Sequence, residues 1–323
     1  MIRILATLLG LGALAVAVTG FAARYLPIAG HPTLILAAAA PYLSVAALAA
    51  MLLFVVARRW VLALLAVALT VALMWVYVPR FLPGPSEQTD AVDVRVLTSN
   101  LGMGEADPRQ LVALAGAGAD VVAVQELTQE AADGLSAAGM DTVFPHRVIV
   151  PAPGATGIGI WSRHPIVHSG RIDGYALPMV GTRIRVPGVR VDATVLSVHL
   201  AAPWPMPIED WKSDYATFPD TLREMGVAAG AGAVIVAGDF NATYEMAPFR
   251  RLLDGGYSDA GNESGAGLAR SYPAGGIGLP LIGIDHILIK NCAAATVRTV
   301  VVPGADHRGL LATLRLPVDM TAS

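Results

Sequence analysis

Polar side chains suited to acid–base and metal chemistry recur at the ends of apolar runs in this chain. In the segment Val236–Asn241, a carboxylate and an amide follow directly on an apolar run. Comparable groups follow three further apolar runs and recur near the C-terminus, namely Asn100, Glu126, His199, Asp285 and the pair Asp306-His307. Carboxylate and amide oxygens bind hard divalent cations, and histidine exchanges protons near neutral pH. Gathered in one place, these groups would suit hydrolysis of a phosphate ester.

Two of these positions, and His286 beside a third, can be interpreted from residue chemistry alone. Glu126 is the strongest candidate metal ligand, because a carboxylate ending a buried strand is costly unless a positive charge meets it. The alternative is an exposed glutamate at a helix start. Asn100 would add a neutral oxygen to the same ion, or it is an amide in a strand-end turn. His286 follows Asp285, and alternation along a strand points it to the opposite face, which predicts a structural role.

The elements expected to position these groups alternate between strands and helices. Period and composition predict strands at Val92–Ser99 and Asp120–Gln125, the second buried on both faces. Residues 143–200 resemble short antiparallel strands, and a helix is predicted at Tyr215–Ala229 before a strand at Ala233–Ala237. Such a mixture predicts an α/β (α+β) domain with two packed mixed sheets flanked by helices.

The front of the chain has a different character. Hydrophobic residues make up 54% of the chain and charged residues 15%, and the excess lies in Ile4–Ala23, Thr33–Ala57 and Trp60–Val78. Each segment lacks charge and is long enough to cross about 30 Å of hydrocarbon, so we predict three transmembrane helices; Pro41 falls inside the second, where a kink is tolerable if neighbouring helices satisfy the freed carbonyl. The alternative for the first segment is a cleaved signal peptide.

Charge placement predicts the orientation of this anchor. Arg3 and the Arg58-Arg59 loop favour the cytoplasmic side, and an odd number of spans then puts the chain after about residue 80 outside the cytoplasm. We therefore expect a multi-pass cell-membrane protein with a 1–80 anchor, an 81–91 linker and a catalytic domain at 92–318 outside the cytoplasm. The single cysteine permits no internal disulfide.

The charge of the region after the anchor argues against one class of partner. Residues 90–323 contain 17 Lys and Arg against 24 Asp and Glu, a net charge of −7, and only two of the cations are lysines. A protein that grips duplex DNA normally presents a basic face. Nucleic acid is therefore a disfavoured partner, while the bilayer and a phosphate ester are the expected ones. The oligomeric state stays open.

Seven segments together resemble the successive motifs of the endonuclease/exonuclease/phosphatase superfamily. They span residues 92–316 and read TSNLG (98–102), DVVAVQE (120–126), GIGIWSRHPI (157–166), LSVHLAAP (196–203), VAGDFNA (236–242), GIDHILI (283–289) and GADHRGL (304–310). The resemblance implies a four-layer sandwich, a catalytic Mg²⁺ or Mn²⁺, and in-line hydrolysis of a phosphoester.

The same resemblance implies a role for each site residue. His307 would be the catalytic histidine, oriented by Asp285, and Asp306 would complete a metal neighbourhood with Glu126 and Asn100. Asp239 would orient or deprotonate the attacking water, and Asn241 would donate to the phosphate. His199 would contact the phosphate or the leaving group; the alternative is a histidine satisfied in the core. Gly102 departs from the pattern, because some nucleases of the superfamily carry an acid there, and this puts a nuclease-type metal geometry in doubt.

Two segments expected at the catalytic mouth bear on the substrate. Trp204, Trp211, Tyr215 and Phe218 fall in one predicted loop region, and Gly275–Ile284 is almost wholly apolar. Aromatic and apolar residues together favour a membrane interface and a lipid-borne phosphate, although ordinary packing of a proline-rich loop is the alternative. The arrangement also resembles membrane proteins associated with teicoplanin-type resistance, which implies a lipid pyrophosphate such as the undecaprenyl carrier. An extracytoplasmic nuclease and a non-catalytic, membrane-tethered binding module are the competing hypotheses.

Overall fold

The computed structural model of the chain describes residues 1–84, 90–189, 191–275 and 279–318. The chain divides into two compact units. The first unit holds Met1–Phe81 and Thr243–Arg250, and the second holds Leu82–Ala242 and Arg251–Ser323. The predicted linker at 81–91 lies partly outside the described residues and stays a prediction.

Four apolar helices make up most of the first unit. They are α1 (Ile2–Ala23), α2 (His31–Ser44), α3 (Ala46–Val56) and α4 (Trp60–Tyr77), and a 3-10 turn at Val78–Phe81 follows α4. By length and composition, α1 is able to cross a membrane, and so is α4 together with this turn. The pair α2–α3 is a third candidate if it is counted as one bent span.

The bend in this third candidate does not lie at Pro41. Pro41 lies inside α2, and the chain bends by 48° between α2 and α3, next to Val45. At the bend, the Ser44 hydroxyl donates to the carbonyl of Ala40 at 2.7 Å. Side-chain bonding of this kind competes with the helical ladder and bends helices. The predicted span over Thr33–Ala57 corresponds to this bent pair, and its crossing of the membrane stays a prediction.

The helices of the first unit bury small residues and expose large ones. A Cβ on Gly10 in α1 would lie 2.7 Å from the ring of Phe54 in α3, so these two helices approach closely there. Large leucine, isoleucine and valine side chains point outward along α1 and α4. The fully buried small residues include Ala17, Ala37, Ala40, Ala50 and Ala66. This distribution is typical of helices that pack in lipid, where small residues form the contacts.

Arginines that follow α1 and α4 share one carboxylate. Arg24 and Arg80 both form ion pairs with Glu245, and all three side chains are buried. Arg250, from the same segment as Glu245, donates to the backbone carbonyl of Arg24. Glu245 is the only acidic residue in the sequence of the first unit. These charged contacts explain why a short segment from late in the chain groups with the helices.

Twelve strands are described in the second unit, and they form two six-stranded sheets. In chain order the strands are β1 (Ala91–Asn100), β2 (Val121–Gln125), β3 (His146–Val150), β4 (Ile158–Ser162), β5 (Ile166–Ile172), β6 (Met179–Ile184), β7 (Ala193–His199), β8 (Val234–Asp239), β9 (Ser258–Asp259), β10 (Asp285–Lys290), β11 (Ala293–Val300) and β12 (Gly309–Pro317). The first sheet has the order β11-β12-β1-β2-β4-β3 and the second has the order β5-β6-β7-β8-β10-β9.

Helices cover the outer faces of the two sheets. The central core between the sheets consists of valine, isoleucine, leucine and alanine side chains from both of them. A second core packs the other face of the first sheet against its helices, so β2 is buried on both faces as predicted. The helices are α5 (Pro108–Gly118), α6 (Gln129–Ala137) and α7 (Met140–Val143) on the first sheet, α8 (Ile208–Ala229) on the second, and the short α10 (Ala260–Glu263), whereas α9 (Ala247–Arg251) falls in the first unit except for its last residue. The predicted four-layer sandwich is confirmed.

The helix α8 corrects the predicted aromatic loop. It begins at Ile208, well before the predicted Tyr215, and its apolar residues recur at helical spacing. Trp211, Tyr215 and Phe218 are buried against the second sheet, and of the four predicted loop aromatics Trp204 alone is exposed. The prediction was wrong because the polar residues between these aromatics belong to the solvent face of a helix.

Candidate active site

Strand directions bring the predicted polar groups together at one edge of the sheets. β1 and β2 are parallel, as are β7 and β8. Asn100 ends β1, His199 ends β7 and Asp239 ends β8, while Glu126 comes directly after β2. β10 runs antiparallel to β8 and begins at Asp285, which lies opposite Asp239.

Gly238 allows the two parallel strands of the second sheet to approach at this edge. A Cβ at this position would lie 1.9 Å from the carbonyl oxygen of Val198 in β7, a distance that no side chain tolerates. The next residue, Asp239, pairs in register with His199. The glycine of the Gly-Asp-Phe-Asn segment is therefore required by packing, and it sets the position of the carboxylate that follows.

Asn100 connects carboxylates from the two sheets. Its Nδ2 donates to Glu126 Oε1 at 3.0 Å and to Asp239 Oδ2 at 3.1 Å. Its Oδ1 accepts a hydrogen bond from the backbone N–H of Gly102 at 2.9 Å. In this arrangement the amide nitrogen faces the carboxylates and the amide oxygen faces the backbone. The role of Asn100 as a metal ligand stays a prediction.

Two site residues adopt a left-handed backbone conformation. Glu126 has φ 58° and Asn241 has φ 49°, conformations that cost on the order of 1–3 kcal/mol for residues other than glycine. Local hydrogen bonds hold both: Met103 N donates to Glu126 Oε2 at 2.6 Å, and Asn241 N donates to Asp239 Oδ1 at 2.8 Å. The Asn241 side chain donates to the carbonyl of Leu200 at 2.9 Å.

Two buried aromatics of α8 hold the turn that contains Asn241. Trp211 Nε1 donates to the carbonyl of Asn241 at 3.0 Å, and the Tyr215 hydroxyl donates to the carbonyl of Phe240 at 2.8 Å. This supporting role of Trp211 and Tyr215 was not predicted, although the helical spacing of the aromatic residues indicates a buried helix face.

Asp239 lies at the centre of the cluster and is buried. Its Oδ2 is 3.6 Å from His199 Nε2 and 3.8 Å from His307 Nε2. Burial raises the pKa of Asp239, and the nearby Asp285 carboxylate adds to this, although positive charge on the two histidines acts in the opposite direction. A carboxylate with a raised pKa is better suited to accepting a proton than an ordinary surface aspartate.

Asp285 and His307 form a buried pair. His307 Nδ1 donates to Asp285 Oδ2 at 2.8 Å. Burial would lower the pKa of His307, but the carboxylates of Asp285, Asp239 and Asp306 outweigh burial and raise it to about 10. The other carboxylate oxygen of Asp285, Oδ1, is buried and has no hydrogen-bond partner among the described residues. The pair therefore supplies an imidazolium whose Nε2 faces the centre of the site.

His199 directs its second nitrogen toward the same centre. Its Nδ1 contacts the carbonyl of Ala155 at 3.2 Å, and because a carbonyl only accepts, Nδ1 carries the proton. Nε2 then faces Glu126 Oε1 at 3.8 Å and Asp239 Oδ2 at 3.6 Å. This orientation suits contact with a phosphate or a leaving group, the role expected for His199.

Asp306 lies beside the turn that follows β1. A Cβ on Gly102 would lie 3.0 Å from Asp306 Oδ1, and Gly102 has φ 57°. An acidic side chain at position 102 would therefore be strained and would crowd Asp306. This crowding explains why glycine fits at position 102. The short distance also shows that Asp306 lies close to the turn that follows Asn100.

The donor set suits a hard divalent cation such as Mg²⁺ or Mn²⁺. Glu126 and Asp239 converge on a single amide nitrogen, and such close carboxylates repel one another unless a positive charge intervenes. Asp239, Asp285 and His307 also each place one potential ligand atom within 4.8 Å of one another. However, Asp285 and His307 already bind each other, and an imidazolium repels a cation. The residues therefore fit a cation on the side of Glu126 and Asp239.

Tyr272 is a site residue that the sequence argument missed. Its ring centroid lies 4.8 Å from that of His307. Burial raises the pKa of the Tyr272 hydroxyl, and the carboxylates of Asp306, Asp239 and Glu126 raise it further. The phenol therefore remains a neutral hydrogen-bond donor beside the acidic cluster. The available signal was an aromatic residue and a proline ahead of an apolar segment that leads to Asp285.

Other polar residues near the motifs have structural partners. His286 lies on the other face of β10, where Nδ1 is 2.8 Å from Asp259 Oδ2 and Nε2 is 3.0 Å from the carbonyl of Ala242. Arg163 donates to the carbonyls of Ala119 and Gly116 at the end of α5, which is the usual use of a cation at a helix C-terminus.

Comparison with known proteins agrees with this geometry. The model of the Endonuclease/Exonuclease/phosphatase family matches residues 97–315. No curated protein matches the sequence. Among solved structures, an endonuclease/exonuclease/phosphatase from Beutenbergia cavernae has 20% identity and a TM-score of 0.51, over 70% of this chain and 72% of that one.

Two further solved structures share the fold over nearly their whole length. An endonuclease/exonuclease/phosphatase from Bacteroides vulgatus has 15% identity and a TM-score of 0.55, over 70% of this chain and 99% of its own. The 3' phosphatase NExo from Neisseria, bound to a product DNA hairpin, has 18% identity and a TM-score of 0.54, over 68% and 98%. Members of this family are hydrolases that act on phosphoester bonds. The family match spans most of the sequence, and the chain belongs to the endonuclease/exonuclease/phosphatase family.

Proposed function

We propose that this protein is a membrane-anchored, Mg²⁺- or Mn²⁺-dependent phosphoesterase that acts outside the cytoplasm on a lipid-linked phosphate or pyrophosphate. The observation that supports catalysis best is the buried Asp285–His307 pair, whose free imidazole nitrogen faces Asp239. In the structural Asp259–His286 pair both ring nitrogens bond to the protein, whereas His307 turns Nε2 toward a further carboxylate, an arrangement typical of functional sites.

The residues suggest a division of labour in hydrolysis. Glu126 and Asp239 would hold the cation, with Asp306 beside them, and the bound cation would neutralise charge on the non-bridging phosphate oxygens. Asp239 would also orient the attacking water, or accept its proton. The His307 imidazolium would stabilise the negative charge that develops on the phosphate, while Asp285 keeps its Nδ1 protonated and its ring in place.

The remaining donors would position the phosphate. His199 would contact the phosphate or the leaving oxygen through Nε2, because its Nδ1 is committed to a carbonyl. Asn241 uses one side-chain N–H on Leu200, and its second N–H is the one that would reach the phosphate.

The first unit supports a membrane anchor with an odd number of spans. Arg24 and Arg80, which follow α1 and α4, contact the same glutamate. Near the other ends of these helices, Arg59 Nε donates to Thr7 Oγ1 at 3.4 Å. The helices α1 and α4 therefore run parallel, as they would if α2–α3 returned the chain between them. With Arg58 and Arg59 on the cytoplasmic side, the second unit would lie outside.

A nuclease is the second candidate, favoured by the solved Neisseria 3' phosphatase that has DNA bound. The net charge of −7 over residues 90–323 opposes it, because phosphate backbones attract cationic surfaces. The full-length protein in detergent should be assayed with Mg²⁺, with Mn²⁺ and with a chelator, on lipid phosphates, lipid pyrophosphates and DNA. We expect metal-dependent phosphate release from lipid, lost in His307→Ala.

Two outcomes would each contradict a part of this proposal. DNA cleavage without phosphate release from any lipid would support the nuclease. If the Asp239→Ala and His307→Ala variants could each replace the wild-type protein in cells with no change in phenotype, a non-catalytic binding module would be the better interpretation. The orientation is tested separately by alkaline phosphatase fused to the C-terminus, which is active only outside the cytoplasm.

A further inference from the structure

The largest exposed apolar side chains of the second unit lie on loops at the catalytic edge. Between residues 90 and 318, eight large hydrophobic side chains are described as exposed, and four of them are valines. The other four are larger and form what we call the mouth residues: Met103 (63% exposed), Trp204 (71%), Leu279 (76%) and Leu281 (58%). Scattered exposed valines are ordinary, whereas a concentration of larger side chains around a site indicates a binding surface.

Three loops carry these residues, and each adjoins a site residue. Met103 follows β1, and its backbone N–H donates to Glu126. Trp204 lies in the connection between His199, the last residue of β7, and α8. Leu279 and Leu281 belong to the segment that leads into β10 at Asp285.

Backbone contacts tie the last of these loops to the catalytic histidine. Leu281 N donates to the carbonyl of Tyr272 at 2.9 Å, and the ring of Tyr272 packs against that of His307. On the other side of Tyr272, Ala274 N donates to the carbonyl of Asp306 at 2.6 Å. The apolar tip at Leu281 is therefore held at a defined place beside the residues expected to act on phosphate.

We propose that the mouth residues bind the hydrocarbon chain of the substrate while its phosphate occupies the Glu126–Asp239–His307 site. This inference rests on the proposed function and names its specificity-determining surface. A phosphate in the site would hold the attached chain at the mouth, where large apolar side chains exclude water from it. A polyanion such as DNA would gain little from these side chains and would meet a negatively charged domain.

Chain length provides the test, because it changes the hydrocarbon while the reacting pyrophosphate stays the same. The full chain in detergent micelles should be assayed with isopentenyl, farnesyl and undecaprenyl pyrophosphate. The variant is Trp204→Ser with Leu279→Ser and Leu281→Ser; Met103 is left intact because its backbone holds Glu126. The matched control is Val191→Ser with Val227→Ser, two exposed apolar residues (38% and 78%) that lie before β7 and near the end of α8, at the ends of these elements away from His199.

We expect the wild-type kcat/KM to rise with chain length. In the triple variant, the ratio of undecaprenyl to isopentenyl kcat/KM should fall by about 100-fold or more, since losing one well-placed apolar contact already costs about tenfold. The control variant should keep the wild-type ratio. Circular dichroism would verify that both variants are folded.

The outcomes separate this inference from the proposed function. If the wild type prefers long chains and the folded triple variant keeps that preference, the mouth residues do not bind the chain and this inference alone is overturned. If the wild type shows no preference for long chains, or hydrolyses only DNA, the lipid substrate itself is refuted and the inference fails with it. An equal loss on all three pyrophosphates would assign the mouth loops to maintaining the site rather than to chain recognition, and would also overturn it.

Discussion

Replacing Asp285 by asparagine tests the catalytic assignment most directly. The substitution keeps the shape of the side chain but removes the charge that lies 2.8 Å from His307 Nδ1. Among the groups that raise the pKa of His307 to about 10, Asp285 is the strongest. An opposite charge at this range shifts a pKa by roughly 1–3 units, so the pKa of His307 should fall by that amount.

The same shift sets the expected loss of rate. Each pKa unit corresponds to about 1.4 kcal/mol of lost stabilisation of the imidazolium. If the lost stabilisation acts in the transition state and not in the ground state, kcat should fall by roughly 10- to 1000-fold. The assay is phosphate release by the full-length protein at saturating Mn²⁺ and pH 7, with the imidazole of His307 titrated by NMR in the metal-free protein.

The chain contains a matched control for this experiment. Asp259 and His286 form a second buried pair with the same 2.8 Å separation, on the opposite face of β10. Asp259→Asn should destabilise the fold but lower kcat by less than about tenfold, because this pair does not face the site. A rate in Asp285→Asn within twofold of wild type would refute the catalytic role. An equal loss in the two variants would show that the effect is structural.

Three further predictions concern stability. In the metal-free protein, the free energy of unfolding should fall as pH rises from about 6.5 to about 10, by at most about 1.4 kcal/mol per pH unit, because folded His307 keeps its proton while the unfolded histidine loses it. Below pH 6.5 the stabilisation by His307 is fully present. Urea midpoints of wild type and His307→Asn at pH 7 and pH 9.5 measure this change. Gly238→Ala should abolish correct folding, seen as loss of the near-ultraviolet circular dichroism signal, because its Cβ would collide with the Val198 carbonyl. Glu245→Gln should cost about 3–5 kcal/mol by leaving two buried arginines without their anion; a melting temperature equal to that of the exposed control Glu209→Gln would contradict this.

Much of the fold and the candidate site was predictable from local pattern. The strand at 120–125 was recognisable because four consecutive apolar residues, Val121–Val124, leave no polar face, and the opposed direction of His286 followed from alternation along β10. The aromatic segment after His199 was misread, because its helix begins within a stretch rich in proline and polar residues. The break at Val45 was not predicted, because Pro41 is the stronger local signal and the hydrogen bond from Ser44 to Ala40 forms only in the folded helix.

Residue types and their local order identify the side chains that could do chemistry, indicate that these follow strands, and make the front of the chain apolar enough for a membrane. These properties depend on residue type and short-range spacing, and both follow directly from the order of the amino acids. Tertiary structure alone decided that Asn100 joins carboxylates from two sheets, that Tyr272 packs against His307, and that Glu245 pairs with Arg24 and Arg80. Such contacts join residues far apart in the chain, and their distances, burial and pKa shifts exist only once the sheets have packed.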